Sequence, residues 1–168
     1  MRSRATRHGR LPSRIAVHEA GHAVMAYLCR RRVGAASTVP HHGVLGQLEY
    51  RGFTEFPSGW LEDARARRKL ENEIMIALAG LAAEYVQPGI VDHAGAAADL
   101  ARALEIALAA ASDPEEATAF INWLFVRVRN RLREPACRRA LEALARELTR
   151  RGSLTGADVR SLLRRSLG

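Results

Sequence analysis

The chain is poor in the residues that would tie a fold together covalently or carry it into a membrane. Its 168 residues include two cysteines, Cys29 and Cys137, far apart and in no metal-type spacing. That excludes a disulfide framework and a cysteine zinc knuckle; both thiols fall on apolar helix faces and are expected to be buried in a reducing compartment. Aromatics make up 5% of the chain, and Lys69 is the only lysine among 26 basic residues. No apolar stretch reaches the roughly 18 uninterrupted residues of a membrane span. The two most apolar segments, 74–86 and 94–111, are broken by Glu84 and by Asp99, Arg102 and Glu105. The basic start, MRSRATRHGR, is followed by no apolar core of a secretory signal, so the expected location is cytoplasmic. Internal repeats, low-complexity linkers and a phosphate-binding G-x-x-x-x-G-K-[ST] loop are missing as well, which excludes an ATPase module of that type within these residues.

What is present suits one globular domain: 48% hydrophobic and 26% charged residues, with a basic leader over 1–12 and a single domain over 13–168. The net charge of +8 invites a nucleic-acid reading. Its make-up argues otherwise, because 25 arginines beside 30 alanines look like GC-rich coding, which biases every surface position at once. No nucleic-acid partner is expected, though a positive surface attracts acidic molecules.

Hydrophobic periodicity reads as mainly α. Ile15, His18, His22, Met25 and Cys29 recur at helical steps, and Arg30 to Arg32 suit a C-terminal end. Residues 35–56 change to Thr, Val, Leu and Tyr broken by Pro and Gly, giving a small β element at about 36–53. A long helix follows Pro57-Ser58-Gly59, with Leu70, Ile74, Leu78, Leu81 and Tyr85 on its inward stripe, and stops at Pro88-Gly89. A helix of some 15 residues begins at Ala96 with Leu100, Leu104, Ala107 and Leu108 expected inward. Asp113-Pro114-Glu115-Glu116 opens the next, which buries Phe120, Ile121, Leu124 and Val128. Pro135 opens another that ends at Gly152, and Thr155 caps a last short one.

The residues that carry chemistry are His18-Glu19-Ala20-Gly21-His22 inside the first helix. Side chains four apart share a helix face, so two imidazoles can converge on one cation. Glu19 lies about 100° round the helix from His18, near the metal without being an obvious ligand, where it can act as a base. The small Ala20, Gly21 and Ala23 allow another backbone to come close, and a mid-helix glycine costs about 1 kcal/mol relative to alanine, so crowding is expected there. A catalytic zinc needs a third protein ligand. The candidates are His41, His42, Glu84, Asp92, His93 and Asp99. Asp99, in the first turn of a helix after a glycine, and Glu84, an acid on an apolar segment that needs a partner if buried, lead equally.

Four ordered motifs then give the chain a resemblance. Residues 14–28 (RIAVHEAGHAVMAYL) resemble the metal-binding helix of the FtsH-type ATP-dependent zinc metalloproteases. Val39-Pro40 with Val44-Leu45-Gly46 resembles that family's P-R-G-x-x-L-G strand, residues 77–84 (ALAGLAAE) its L-x-G-R-A-A-E helix, and residues 95–100 (GAAADL) its G-A-x-x-D-[LI] turn. The tail, 141–163, is similar to its closing helices, with the L-x-G turn at 154–156. The resemblance covers almost the whole chain and implies a compact helical zinc-peptidase domain. It implies one Zn²⁺ per chain on His18, His22 and Asp99, Glu19 as general base, and Glu84 as a supporting acid. Val44, Leu45 and Gly46 would lie on the substrate-aligning strand; His41 and His42 read first as surface histidines, with stabilisation of the oxyanion as the alternative for either. Peptides or unfolded proteins are the implied substrates. An ATPase partner would act in trans, and a homo-oligomer is compatible. The chain departs from the family at Leu81 and His41, where arginines are usual, at Leu104, where threonine is usual, and in a short connection at 110–113. The alternative reading is a catalytically silent zinc-binding scaffold or regulatory module derived from the peptidase, against which the retained Glu19 argues.

Overall fold

A computed structural model describes residues 12–39, 47–50, 63–87 and 96–168. Among these residues, six helices and a small sheet follow one another: α1 (Arg14–Leu28), β1 (Val33–Ser37), β2 (Gln47–Tyr50), α2 (Ala64–Val86), α3 (Ala97–Leu108), α4 (Pro114–Arg133), α5 (Pro135–Arg151), β3 (Ser153–Leu154) and α6 (Gly156–Leu167). The mainly α class with a small β element is what the sequence predicts. The β element differs in extent: β1 begins at Val33, ahead of the expected start, and β3 joins from far along the chain. The sheet is antiparallel in the order β2-β1-β3, with Ala36 opposite both Leu48 and Leu154. A two-residue strand such as β3 has no periodicity of its own; its pairing depends on the turn at Gly152, where φ is +75° and the carbonyl accepts from Thr38 N.

α1 is the central element. Every residue from Ala16 to Ala26 is buried, which is why this stretch is built from Ala, Gly, Val and Met around the histidines. α2 and α5 flank it. Leu141, Leu144 and Leu148 of α5 are fully buried in the larger core with α1, α6 and the sheet. A second cluster joins Leu70, Ile74 and Leu78 of α2 to Ala103, Ile106 and Ala107 of α3 and to Leu124 of α4. Each fully buried leucine contributes about 1.5–3 kcal/mol by leaving water.

The helix ends follow the local chemistry of the sequence. Asp113 Oδ1 accepts from Glu116 N at 2.8 Å with Pro114 behind it, and Thr155 and Asp158 form a reciprocal capping box. α1 ends differently: Arg30 adopts φ of 58°, a left-handed position more often glycine, and Arg31 N bonds back to Ala26 O at 2.8 Å. This turn delivers the Arg31 guanidinium to the buried Glu73 on α2, 2.7 Å away.

Three expectations about packing are corrected. Leu100, Leu104 and Leu108 of α3 are exposed, and the buried face is Ala103, Ile106 and Ala107. Both faces have helical period; the face carrying Ala103 and Ala107 is buried because these small residues let α3 lie close to α2 and α4. Tyr85 is also exposed, with its ring edge against Phe125. Cys29 is half-buried at the α1 C-cap, whereas Cys137 is buried. Among the described residues, no helix is long and apolar enough to cross a membrane.

Candidate metal centre

The close approach of α1 and α2 creates the site. A Cβ on Gly21 would collide with Ala79 O and Ala83 Cβ, so the crowding expected around Gly21 is the contact between these two helices. With α2 this near, its residues reach both imidazoles from behind. His18 Nδ1 lies 2.7 Å from Glu84 Oε1, and His22 Nδ1 lies 2.8 Å from Ile76 O. A carbonyl oxygen and a carboxylate can only accept, so both Nδ1 atoms donate and carry the proton. Each neutral ring then presents a bare Nε2.

Those two Nε2 atoms face each other at 3.0 Å. Asp99, in the first turn of α3, completes a triangle, its Oδ2 lying 2.8 Å from His18 Nε2 and 3.1 Å from His22 Nε2. Three electron-rich atoms converging in this way need protons or a cation among them. Burial works to raise the Asp99 carboxyl, but hydrogen bonds from His18 and His22 overcome it and hold the group well below the usual carboxylate range. Burial works to lower His22 in turn, and Asp99 outweighs it, so that ring holds its second proton more tightly than an ordinary histidine. Both directions express one property, a focus of negative potential where protons stand in for a cation.

The donor set fits a divalent ion. Two imidazole nitrogens and a carboxylate oxygen are a zinc-type combination. A tetrahedral ion with bonds of about 2.0–2.1 Å spaces its donors about 3.3–3.4 Å apart, about 0.2–0.6 Å wider than the triangle seen here, so a small outward shift of the donors admits it. Among the described residues, His18, His22 and Asp99 are the group able to hold a metal in this way. Glu84, tied with Asp99 by sequence reasoning, is not in the triangle. It is 1% exposed, with Oε1 on His18 and Oε2 3.7 Å from the Arg14 guanidinium. It holds the ligand ring rather than the ion.

Glu19 is buried on α1 beside the triangle, and among the described residues no group hydrogen-bonds its carboxylate. Burial pushes its pKa up, against the opposing pull of His22 and His18. It lines a cleft of about 290 Å³ together with the three donors, Gln47, Leu48 and Tyr50 of β2, Arg14 and Arg102. Val44, Leu45 and Gly46, the expected substrate strand, lie outside the described residues, as do His41, His42, Asp92 and His93.

Sequence reasoning missed several contributors. Arg14 stands four residues before His18, on the same helix face, and i,i+4 spacing could have found it. Tyr50 closes the β2 side of the cleft and Ile76 contributes only a carbonyl, which no side-chain pattern reveals. Gly80 lies in the interior of a 23-residue helix, where a glycine costs about 1 kcal/mol, a signal of close approach. No protein-family model matches the chain, and no curated protein matches it.

Proposed function

We propose that the chain is a zinc-dependent metalloendopeptidase of the FtsH type, acting on peptides or unfolded protein segments. One observation carries this reading: the triangle has three protein donors among the described residues and opens on a cleft beside a carboxylate that no described group engages. Structural zinc sites are closed by four protein ligands, whereas catalytic ones keep a position for water and substrate.

The chemistry a bound zinc supplies is Lewis-acid polarisation of a carbonyl and a lowered pKa for water. The residues of the chain do the rest. His18 and His22 keep Nε2 free for the ion because Glu84 and the Ile76 carbonyl occupy their Nδ1 protons. Glu19 accepts the proton of the attacking water at its carboxylate and returns it to the leaving amine. Burial raises the Tyr50 phenol, so it stays protonated as a hydrogen-bond donor at the cleft. β2 pairs with β1 on one side, and Gln47, Leu48 and Tyr50 line the cleft, Leu48 and Tyr50 from the same face of the strand. An extended peptide adding to this strand would lay its carbonyls across the metal centre.

The test is cleavage of a casein-type unfolded substrate by purified chain, with zinc and with a chelator. Wild type should cleave only with metal, and Glu19→Gln should keep one zinc per chain while losing cleavage. Zinc-loaded wild type that cleaves no peptide would contradict the reading and favour the silent scaffold.

A further inference from the structure

α2 passes the two ligand histidines with no side chain at Gly80. A β-carbon at this position would meet His18 Nε2, His18 Cε1 at 2.5 Å and His22 Nε2 at 2.6 Å, all inside van der Waals contact. The three nearest atoms thus belong to the ligand rings, and two of them are the metal-facing nitrogens. Gly21, the other helical glycine between these elements, differs: its β-carbon would meet Ala79 O and Ala83 Cβ, which are packing atoms of α2. One glycine lets the helices close, and the other leaves room around the donors.

We propose that Gly80 is a positioning residue of the metal centre, its bare Cα forming the back wall of the cation position and setting the spacing of the two imidazole nitrogens. Each ring is tethered at its far nitrogen. His18 is held through Nδ1 by Glu84 at 2.7 Å, and His22 through Nδ1 by the Ile76 carbonyl at 2.8 Å. The Ile76 anchor is one helical turn before Gly80 on the same helix, so a methyl at 80 presses on His22 while its tether keeps it in place. α1 cannot slide away either, because its residues from Ala16 to Ala26 are buried against the core. The added methyl therefore takes the space between the nitrogens and α2 and forces the donors off a common centre. The inference rests on the metal-binding part of the proposed function and is independent of peptide cleavage.

The test uses the full chain with Gly80→Ala, stripped of metal and titrated with zinc against a chromophoric chelator. Zinc affinity is expected to fall at least about 100-fold, the upper range for residues that orient ligands. Denaturation midpoints in chelator are measured for Gly80→Ala in the wild-type background and in a His18→Ala/His22→Ala background. The substitution should lower the midpoint in the first. In the second it should leave the midpoint unchanged or raise it, since alanine is the better helix former once the rings are gone. A Gly80→Ala protein that fails to fold, beside a triple variant that folds, gives the same answer. Zinc affinity within twofold of wild type, or an equal loss of midpoint in both backgrounds, would overturn the proposal for Gly80 alone. Wild type that takes up no zinc would overturn the metal centre itself.

Discussion

Replacing Glu84 separates a metal ligand from a residue that holds one. Its side chain is 1% exposed, with one oxygen on His18 Nδ1 at 2.7 Å and the other 3.7 Å from Arg14. Glu84→Gln keeps an acceptor for the ring but removes the charge, and should weaken zinc binding about tenfold; Glu84→Ala removes both and should weaken it about 100-fold. The larger loss corresponds to about 2.7 kcal/mol. Asp99→Ala removes a donor outright. If a zinc site worth about 10–16 kcal/mol is shared among its three protein ligands, that loss is about 3.3–5.3 kcal/mol, roughly 300- to 8,000-fold. In chelator the order reverses. Glu84→Ala leaves the buried His18 Nδ1–H without its acceptor, costing about 2–3 kcal/mol and lowering the urea midpoint by about 1–2 M. Asp99→Ala removes hydrogen bonds that the carboxylate accepts from the rings, but its side chain is 28% exposed and water can replace them, so the smaller stability change is expected there. Competitive zinc titrations and urea unfolding of the variants give all the numbers needed. Glu84→Ala binding zinc like wild type, or losing more affinity than Asp99→Ala, would refute this division of roles.

Leu144→Ala, at a fully buried α5 position, should cost about 2–5 kcal/mol in urea unfolding while leaving zinc stoichiometry at one. Zinc affinity should fall steadily from pH 8 to pH 5.5, because protons compete for both histidine Nε2 atoms; a pH-independent dissociation constant would exclude histidine ligation. Burial pushes the Cys29 thiol up to about 12, with Arg31 pulling the other way and Glu73 adding to the rise. Iodoacetamide at pH 8 should therefore modify native Cys29 far more slowly than the urea-unfolded chain; equal rates would show that the site is open.

Much of the fold was legible because its signals are local. The capping groups of Asp113 and Thr155, and the prolines at 114 and 135, mark helix starts that the structure repeats to the residue. The stretch 126–133 alternates like a strand, yet Leu124 and Val128 continue the helical stripe, and α4 runs through it. The failures concern which of two plausible faces is buried. On α3, leucines at 100, 104 and 108 looked inward by hydrophobicity, but the position of α3 is fixed by close contacts with α2 and α4 that only Ala103 and Ala107 permit. The pair of histidines was legible from spacing alone. Choosing Asp99 over Glu84 was not, because both acids sit near the rings. What distinguishes them is which ring nitrogen each one meets, Nδ1 for Glu84 and Nε2 for Asp99, and one-dimensional spacing carries no information on that.

The central claim is that one divalent ion sits among His18 Nε2, His22 Nε2 and Asp99 Oδ2. Anomalous diffraction at the zinc edge from crystals of the zinc-loaded protein tests it most directly. The account predicts a single strong peak about 2.0–2.1 Å from all three atoms, with Glu84 beyond bonding distance. A peak ligated by Glu84, or a map in which Asp99 turns away from the paired rings while zinc is bound elsewhere, would contradict it.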